Sequence, residues 1–372
     1  MRDLAYIAKI EKLSPIPEAD RIESAFVAGW TVIVEKGKYQ EGDLCVYCEE
    51  DTILPTSNPN FEFLRKRCYS NLYDGFRIKT LKMKGVLSQG IVFPMDILPE
   101  SFKILKEGNV VADVLGVRKY DPEALKEMES IKKKKNPILK LLMKNKLFRK
   151  VWMKLHTKPK GGYPKTVSKS SETNIQKLFN TYKKYYNDHN FYLTEKIEGQ
   201  AGTWMLHKGK YRLFSHNIEV TKSGNTNWKR ISDNDDIKKK LRIYKKNRGV
   251  ELAIQGEIVG PGIQRNVYGF KNPELFVYKI TNTKTGESYN WLMIKAICAD
   301  LDLKSVPFIE VTTLSKFYTL DGLLAFSNGK SILNNKVMRE GIVWRSTTDQ
   351  SMGFKAKSPE YIAWFSKKDE TE

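Results

Sequence analysis

Soft metal ligands are scarce in this chain: four cysteines and four histidines among 372 residues. A closed zinc site needs four such ligands. Cys45 and Cys48 form a C-x-x-C, yet only Cys68 stands near them, and every histidine lies beyond residue 155. "DLCVYCEED" reads as a strand, on which residues three apart face opposite sides, so reduced structural thiols are expected. No apolar run is long enough to span a bilayer, and "MRDLAYIAKI" has no signal-peptide pattern. These absences predict a cytoplasmic chain without membrane contact, and its length favours two domains over one. Two phosphate-cradling loops are missing as well. There is no G-x-G-x-x-G and no G-x-x-x-x-G-K-[ST]; "GVLSQG" at 85–90 lacks the lysine.

Acids are also missing from one segment. Residues 131–160 contain none, against 12 lysines and arginines. The whole chain carries 64 Lys+Arg and 43 Asp+Glu, a formal charge of +21, yet residues 1–120 are balanced with 17 of each sign. An excess of this size, with much of it away from any tail, predicts a polyanionic partner held through phosphates.

Residues 1–120 read as short strands separated by turns: "AYIAKIEKL", "IESAFVAG", "WTVIVEKG", "DLCVYCEE", "FRIKTLKMKG" and "SQGIVFP". Five or more strands with little helix suggest a small closed barrel of OB type, a fold that often engages oligonucleotides. Local clusters would have to make that contact, either Arg65 to Arg67 or Arg77, Lys79, Lys82 and Lys84. Residues 121–165 read as a basic helical linker. One helix ends in "KKKK"; the next, "NPILKLLMKNKLFRKVWMKL", has Asn136 and Pro137 at its start and apolar residues at three-to-four spacing. Residues 166–372 become α+β. Helices are expected over "ETNIQKLFNTYKKYY" and over "SDNDDIKKKLRIYKKNRG", the latter capped by Ser232 and stopped by Gly249. Strands surround Lys196 and cover "VELAIQGEIVG", "ELFVYKITN" and "GIVWRS".

Five separated stretches now stand in order: "TEKIEG" (194–199), "IQGEIVGPG" (254–262), "ELFVYKI" (274–280), "REGIVW" (339–344) and "FKAK" (354–357). Together they resemble motifs I, III, IIIa, IV and V of the covalent nucleotidyltransferases, a superfamily of RNA ligases, DNA ligases and capping enzymes. The N-terminal "PIPEADRIESAFVAGWTVIVEKGKYQEGDLCVY" and "RIKTLKMKGVLSQGIVFP" are similar to the OB domain of an RNA repair ligase family. That family places the barrel before the transferase domain; DNA ligases and capping enzymes place theirs after it. Here the last motif ends at residue 357 of 372, so the expectation is RNA ligase.

The resemblance implies that Lys196 attacks the α-phosphorus of ATP, expels pyrophosphate and holds AMP as a phosphoramidate. AMP would pass to an RNA 5′-phosphate, and a 3′-hydroxyl would then displace it. An amine must lose its proton to attack, and nearby positive charge favours that loss. Lys355 and Lys357, on one face of a strand, would supply such charge and grip the α-phosphate. Glu198, Glu257 and Glu340 would hold Mg²⁺ or Mn²⁺ directly or through water, leaving Glu340 for the metal rather than for Lys196. Glu257 has the ribose hydroxyl as its other assignment. Phe276, Tyr278 and Ile280 are expected on one strand face, with Tyr278 the better candidate to stack on adenine and Phe276 also suited to the core. Glu195, through its side chain or backbone, would read the adenine amino group; a solvated carboxylate is the alternative. Two positions depart from the family: Glu198 where motif I usually has aspartate, and His216 where related ligases often have arginine. The expected partner is RNA with 3′-OH and 5′-phosphate ends, as a nicked duplex, and the expected state is a monomer. A capping-type guanylyltransferase and a non-catalytic RNA-binding protein are the alternatives.

Overall fold

Two units divide the chain; of the described residues one holds 3–120 and 363–371, the other 163–362. The computed structural model describes residues 3–71, 73–102, 104, 106–120, 163–168, 172–215, 219–220 and 226–371. The helices expected at 121–155, nearly all of the basic linker, and His216 lie outside the described residues.

The first unit is built from β1 (Ala5–Pro15), β2 (Ile22–Val27), β3 (Trp30–Glu35), β4 (Leu44–Cys48), β5 (Thr52–Pro55), the single helical turn α1 (Arg65–Cys68), β6 (Tyr69–Ser70), β7 (Gly75–Ile78), β8 (Leu81–Met83), β9 (Val86–Ser88), β10 (Ile91–Pro94) and β11 (Arg118–Lys119). β1 is long enough to serve two partners. Its first half pairs with β4, its second half with β2, and a register shift between Ile10 and Lys12 bends it from one to the other. The outer edge of β3 is met by the chain entering β10: Gln89 N donates to Thr31 O at 2.8 Å, and Ile33 N donates to Ser88 Oγ at 2.9 Å. This curvature and edge closure give the OB-like barrel. Cys45 and Cys48 point into different apolar layers, Cys45 beside Trp30 and Tyr47, Cys48 beside Val46 and Phe61. Both are free thiols, and burial pushes Cys45 up to about 12. Of the expected basic clusters, Arg65 is held by Glu62, while Arg77 bonds Asp51 at 3.0 Å and lies 3.6 Å from the Tyr120 ring centroid. Lys79, Lys82 and Lys84, on or beside the β8–β9 hairpin, stay exposed.

The second unit contains β12 (Thr173–Asn174), α2 (Phe179–Tyr185), β13 (Phe191–Lys196), β14 (Gln200–His207), β15 (Lys210–Phe214), α3 (Asn227–Asn234), α4 (Ile237–Arg248), β16 (Leu252–Val259), β17 (Glu274–Asn282), α5 (Trp291–Asp300), β18 (Lys304–Ser305), β19 (Phe308–Thr312), α6 (Leu320–Phe326), β20 (Gly341–Ser346), β21 (Gly353–Lys357) and the start of α7 (Pro359–Thr371), whose residues from 363 on group with the first unit. Two sheets result, β12-β21-β20-β13-β19 and β15-β14-β16-β17-β18. Strand parity assigns their faces. In the first sheet Leu193, Trp344 and Phe354 form a cross-strand row, and with Phe191, Ile342 and Ala356 they pack on residues of α2 and α6. In the second, Trp204, Ile254 and Ile280 face α4 and α5 through Ile237, Leu241, Ile294 and Ile297. The remaining face of each sheet is therefore available to the other.

Three local expectations need correction. The helix expected over 172–186 is only α2, because Thr173 and Asn174 join the sheet edge in parallel with Phe354 and Lys355. The helix expected over 232–249 is two helices, broken where Asp236 adopts a left-handed φ of 50°. Thr226 caps the first, accepting from Lys229 N at 3.3 Å, and Ser232 instead sits inside it and bonds Tyr211 Oη at 2.6 Å. Gly249 ends α4 at φ 70°, as expected. Finally, a register shift at Gln255/Gly256 places Phe276 opposite Glu257 but Ile280 opposite Ile254. Glu257 and Ile254 are three residues apart, so Phe276 and Ile280 lie on opposite faces, and Tyr278 is the extra residue of the bulge.

Gly341 stands between Lys196 and Lys357 in one cross-strand row. A Cβ there would lie 2.2 Å from Ala356 O, inside any permitted contact. Gly341→Ala should therefore force β20 from β21 and cost about 1–3 kcal/mol in urea unfolding, as overpacking does. Unchanged stability would show that the two strands have slack at this row.

Candidate active site

The face of the first sheet turned away from its aromatic core carries Thr194 and Lys196 on β13, Val343 and Arg345 on β20, and Lys355 and Lys357 on β21. Alternation within each strand and pairing between strands thus bring four cations to one surface. Lys196 ends β13, and its Nζ lies 2.5 Å from Glu340 Oε2. This corrects the expectation that Glu340 is kept away from the lysine. Lys355 has no acid so close. Burial, then the charges of Lys357 and Lys196, push its ammonium down to about 8.

Past Lys196 the chain crosses to the second sheet through Ile197–Gly199. The crossing is tight: a Cβ on Gly199 would lie 2.4 Å from Ile258 O and 2.8 Å from Glu257 Cγ. Glu257 is thereby held against the elbow of the first motif. Glu198 N donates to Tyr268 Oη at 2.8 Å, and Gly199 O accepts from Gln264 Nε2 at 3.4 Å. Burial raises the Glu198 carboxyl above its ordinary range, against the lowering effect of the Tyr361 hydroxyl. Its Oε2 is buried with no hydrogen-bond partner among the described residues. Such an orphaned oxygen suits a cation. Glu198, Glu257 and Glu340 form no ready three-ligand cluster among the described residues. A hard divalent ion needs only one or two carboxylates where phosphates and water complete its shell.

Arg345 joins the two sheets. It is buried, donates to Tyr278 O at 2.7 Å and pairs with Glu172, and its guanidinium lies 5.7 Å from the Tyr278 ring centroid. Burial opposes the charge on Glu172, but Arg345 overrides it and holds that carboxyl at about 2. Lys279, on the same side, donates to Ser168 Oγ at 2.7 Å, and burial followed by Arg345 pushes its ammonium down. Phe276 is 5% exposed and packs on Phe270, the core role its sequence also allowed. The side chain of Glu195 is neither solvated nor on the Lys196 face. It is 1% exposed on the opposite side, taking Ser331 Oγ at 2.5 Å and Ile332 N at 2.7 Å. Any adenine contact from Glu195 falls to its backbone. Arg339 fixes the approach to Glu340 by donating to Phe326 O and Ser327 O, each at 3.0 Å, at the end of α6.

Residues 189–359 match the RNA ligase family model, and residues 4–95 match the model of an OB-fold domain. This chain carries an RNA ligase domain behind an OB-fold domain. Among solved structures, Naegleria gruberi RNA ligase with pyrophosphate is 25% identical at a TM-score of 0.80, covering 99% of this chain and 100% of that chain. A variant of that enzyme in apo form is 24% identical at 0.81, covering 98% and 99%. A lysine-to-alanine variant with ATP and Mn is 24% identical at 0.79, covering 97% and 98%. No curated protein matches.

Within the ligase domain the residues that sequence reasoning missed are Arg345, Glu172, Lys279, Tyr268 and Tyr361. Parity along "GIVWRS" already puts Arg345 on the side of Val343; its partners come from distant segments and leave no local signal. Removing one member of a buried pair strands the other charge. Arg345→Met should cost about 3–5 kcal/mol in urea unfolding, and adding Glu172→Met should restore most of it. A single-variant loss under about 1 kcal/mol, the range of an exposed pair, would mean that Arg345 does not hold the sheets together.

Proposed function

We propose that this RNA ligase seals 3′-OH/5′-phosphate breaks, nicks in duplex RNA foremost, through a lysyl-AMP intermediate on Lys196. The observation that carries this reading is the cross-strand row Lys196–Gly341–Lys357 with Lys355 beside it on the same face. A row of ammonium groups is a receptor for a polyphosphate. The lysine at its edge, next to the elbow at Glu198–Gly199, is the one placed to attack. Lys196 Nζ, once deprotonated, forms a bond to the α-phosphorus of ATP as the bond to pyrophosphate breaks. Lys355 and Lys357 balance the negative charge that moves on to the phosphate oxygens. One or two of Glu198, Glu257 and Glu340 would hold a divalent ion, which would supply positive charge to the phosphates. Tyr278, its backbone fixed by Arg345, is assigned the adenine ring, and Phe276 is left to the core.

The lysine then yields AMP to the RNA 5′-phosphate, giving a 5′–5′ pyrophosphate link. Attack by the 3′-hydroxyl at the 5′-phosphorus breaks that link and releases AMP. ATP and Mn in complexes of the Naegleria enzyme support the nucleotide and metal assigned here. Four free cysteines suit a reducing compartment, and we assign the ligase to the cytoplasm as a monomer. No described helix is long and apolar enough to cross a membrane.

Lys196→Ala should lose all detectable transfer of α-label from ATP to protein and all sealing of 5′-phosphate RNA. It should keep sealing of pre-adenylylated nicked RNA, which needs no nucleophile on the enzyme. Wild-type labelling in this variant would overturn the assignment. Labelling of the wild type by GTP in place of ATP would move the protein to the guanylyltransferases.

A further inference from the structure

We propose that the outward face of α4 is a docking strip for RNA phosphates, separate from the nucleotide site. The inference rests on the ligase reading and extends its substrate to RNA that reaches well beyond the break. α4 reads "IKKKLRIYKKNR", with seven basic residues in twelve and no acid. Ile237 and Leu241 bury one side of it against the second sheet, on the face opposite Glu257. Cations flanking that buried side have acid partners. Lys240 lies 3.7 Å from Asp302, Lys245 is 2.6 Å from Glu251, and Arg248 is 3.1 Å from Asp300. Lys238, Lys239, Arg242 and Lys246 differ. All four are exposed, and none of their side chains has a hydrogen bond or ion pair among the described residues.

Their positions are not scattered. At 3.6 residues per turn the four fall within about 100° of arc, centred about 130° around the helix from Ile237 and Leu241, and extend about 12 Å along the axis. Lys238 and Arg242, and Arg242 and Lys246, stand four residues apart, a spacing at which like charges oppose the helix. Carboxylates relieve the other α4 cations from neighbouring segments, and none serves this face. An extended polyanion would relieve all four at once. The ligase domain supplies its chemical class, because the substrate backbone is a row of phosphates. Since α4 lies behind the second sheet as seen from Lys196, the phosphates it holds belong to RNA flanking the break or folded around the domain, not to the reacting ends.

The test is a quadruple variant, K238Q/K239Q/R242Q/K246Q, which keeps good helix formers on an exposed face. It is compared with K271Q/K284Q/K295Q/K330Q, the same charge change elsewhere on the unit. Binding is measured in the full chain, with a nicked RNA duplex several helical turns long, across a salt series. The α4 variant should label with AMP like the wild type, bind at least about tenfold more weakly at low salt, and flatten the log–log salt slope by about 2–4, close to one per lost phosphate contact. The control should keep the wild-type slope. An α4 variant with the wild-type slope, or a control that flattens equally, overturns the strip while leaving the ligase reading intact. A wild type that neither labels nor seals fails the ligase reading instead.

Discussion

Like charge crowded on to one sheet face is the constraint on which the rest of the ligase domain depends. Parity puts Lys196, Arg345, Lys355 and Lys357 on the same side of three adjacent strands. Gly341 lets two of those strands approach without a side chain between Lys196 and Lys357. A ligand-free domain must manage the repulsion. Glu340 answers Lys196, Glu172 answers Arg345, and Lys355, with no acid so near, becomes easier to deprotonate. The surrounding structure maintains this arrangement. Arg339 fixes the strand that follows it, Tyr268 and Gln264 hold the elbow after Lys196, and Arg345 bolts the second sheet to the first. On the proposed reading a site so organised is ready for phosphates before any ligand arrives.

Geometry and electrostatics favour different lysines in the ligand-free state. Lys355 has the depressed ammonium, whereas Lys196 is the one placed at the elbow and held by Glu340. On the proposed reading ATP reverses the order. Phosphates would favour the charged form of Lys355, and a Glu340 carboxylate engaged with a divalent ion would leave Lys196 free to attack. The Lys196–Glu340 pair is then a resting state, and the buried, unpartnered Glu198 Oε2 marks where the ion would enter.

Much of this was legible in the sequence, for a physical reason: short strands with clear alternation carry their face assignments with them. The barrel strands, the opposed directions of Cys45 and Cys48, and the common face of Lys355 and Lys357 all follow from period two. What was illegible depended on tertiary partners. Helix propensity continues through Asp236, and only a left-handed residue there breaks 232–249 into two helices. The bulge at Tyr278, which separates Phe276 from Ile280, is set by pairing with β16. The resemblance offered Glu195, by side chain or backbone, for the adenine amino group, yet its side chain faces away from Lys196 because neighbours on a strand take opposite faces. The Glu172–Arg345 pair joins residues far apart in the chain and could be found only in the fold.

The central claim is that position on the face, not ease of deprotonation in the empty site, selects the nucleophile. Peptide mapping by mass spectrometry after incubation with ATP and Mn²⁺ tests it directly. The account predicts AMP on the peptide containing Lys196 and none on the peptide containing Lys355 and Lys357. AMP on either of those two lysines would contradict it.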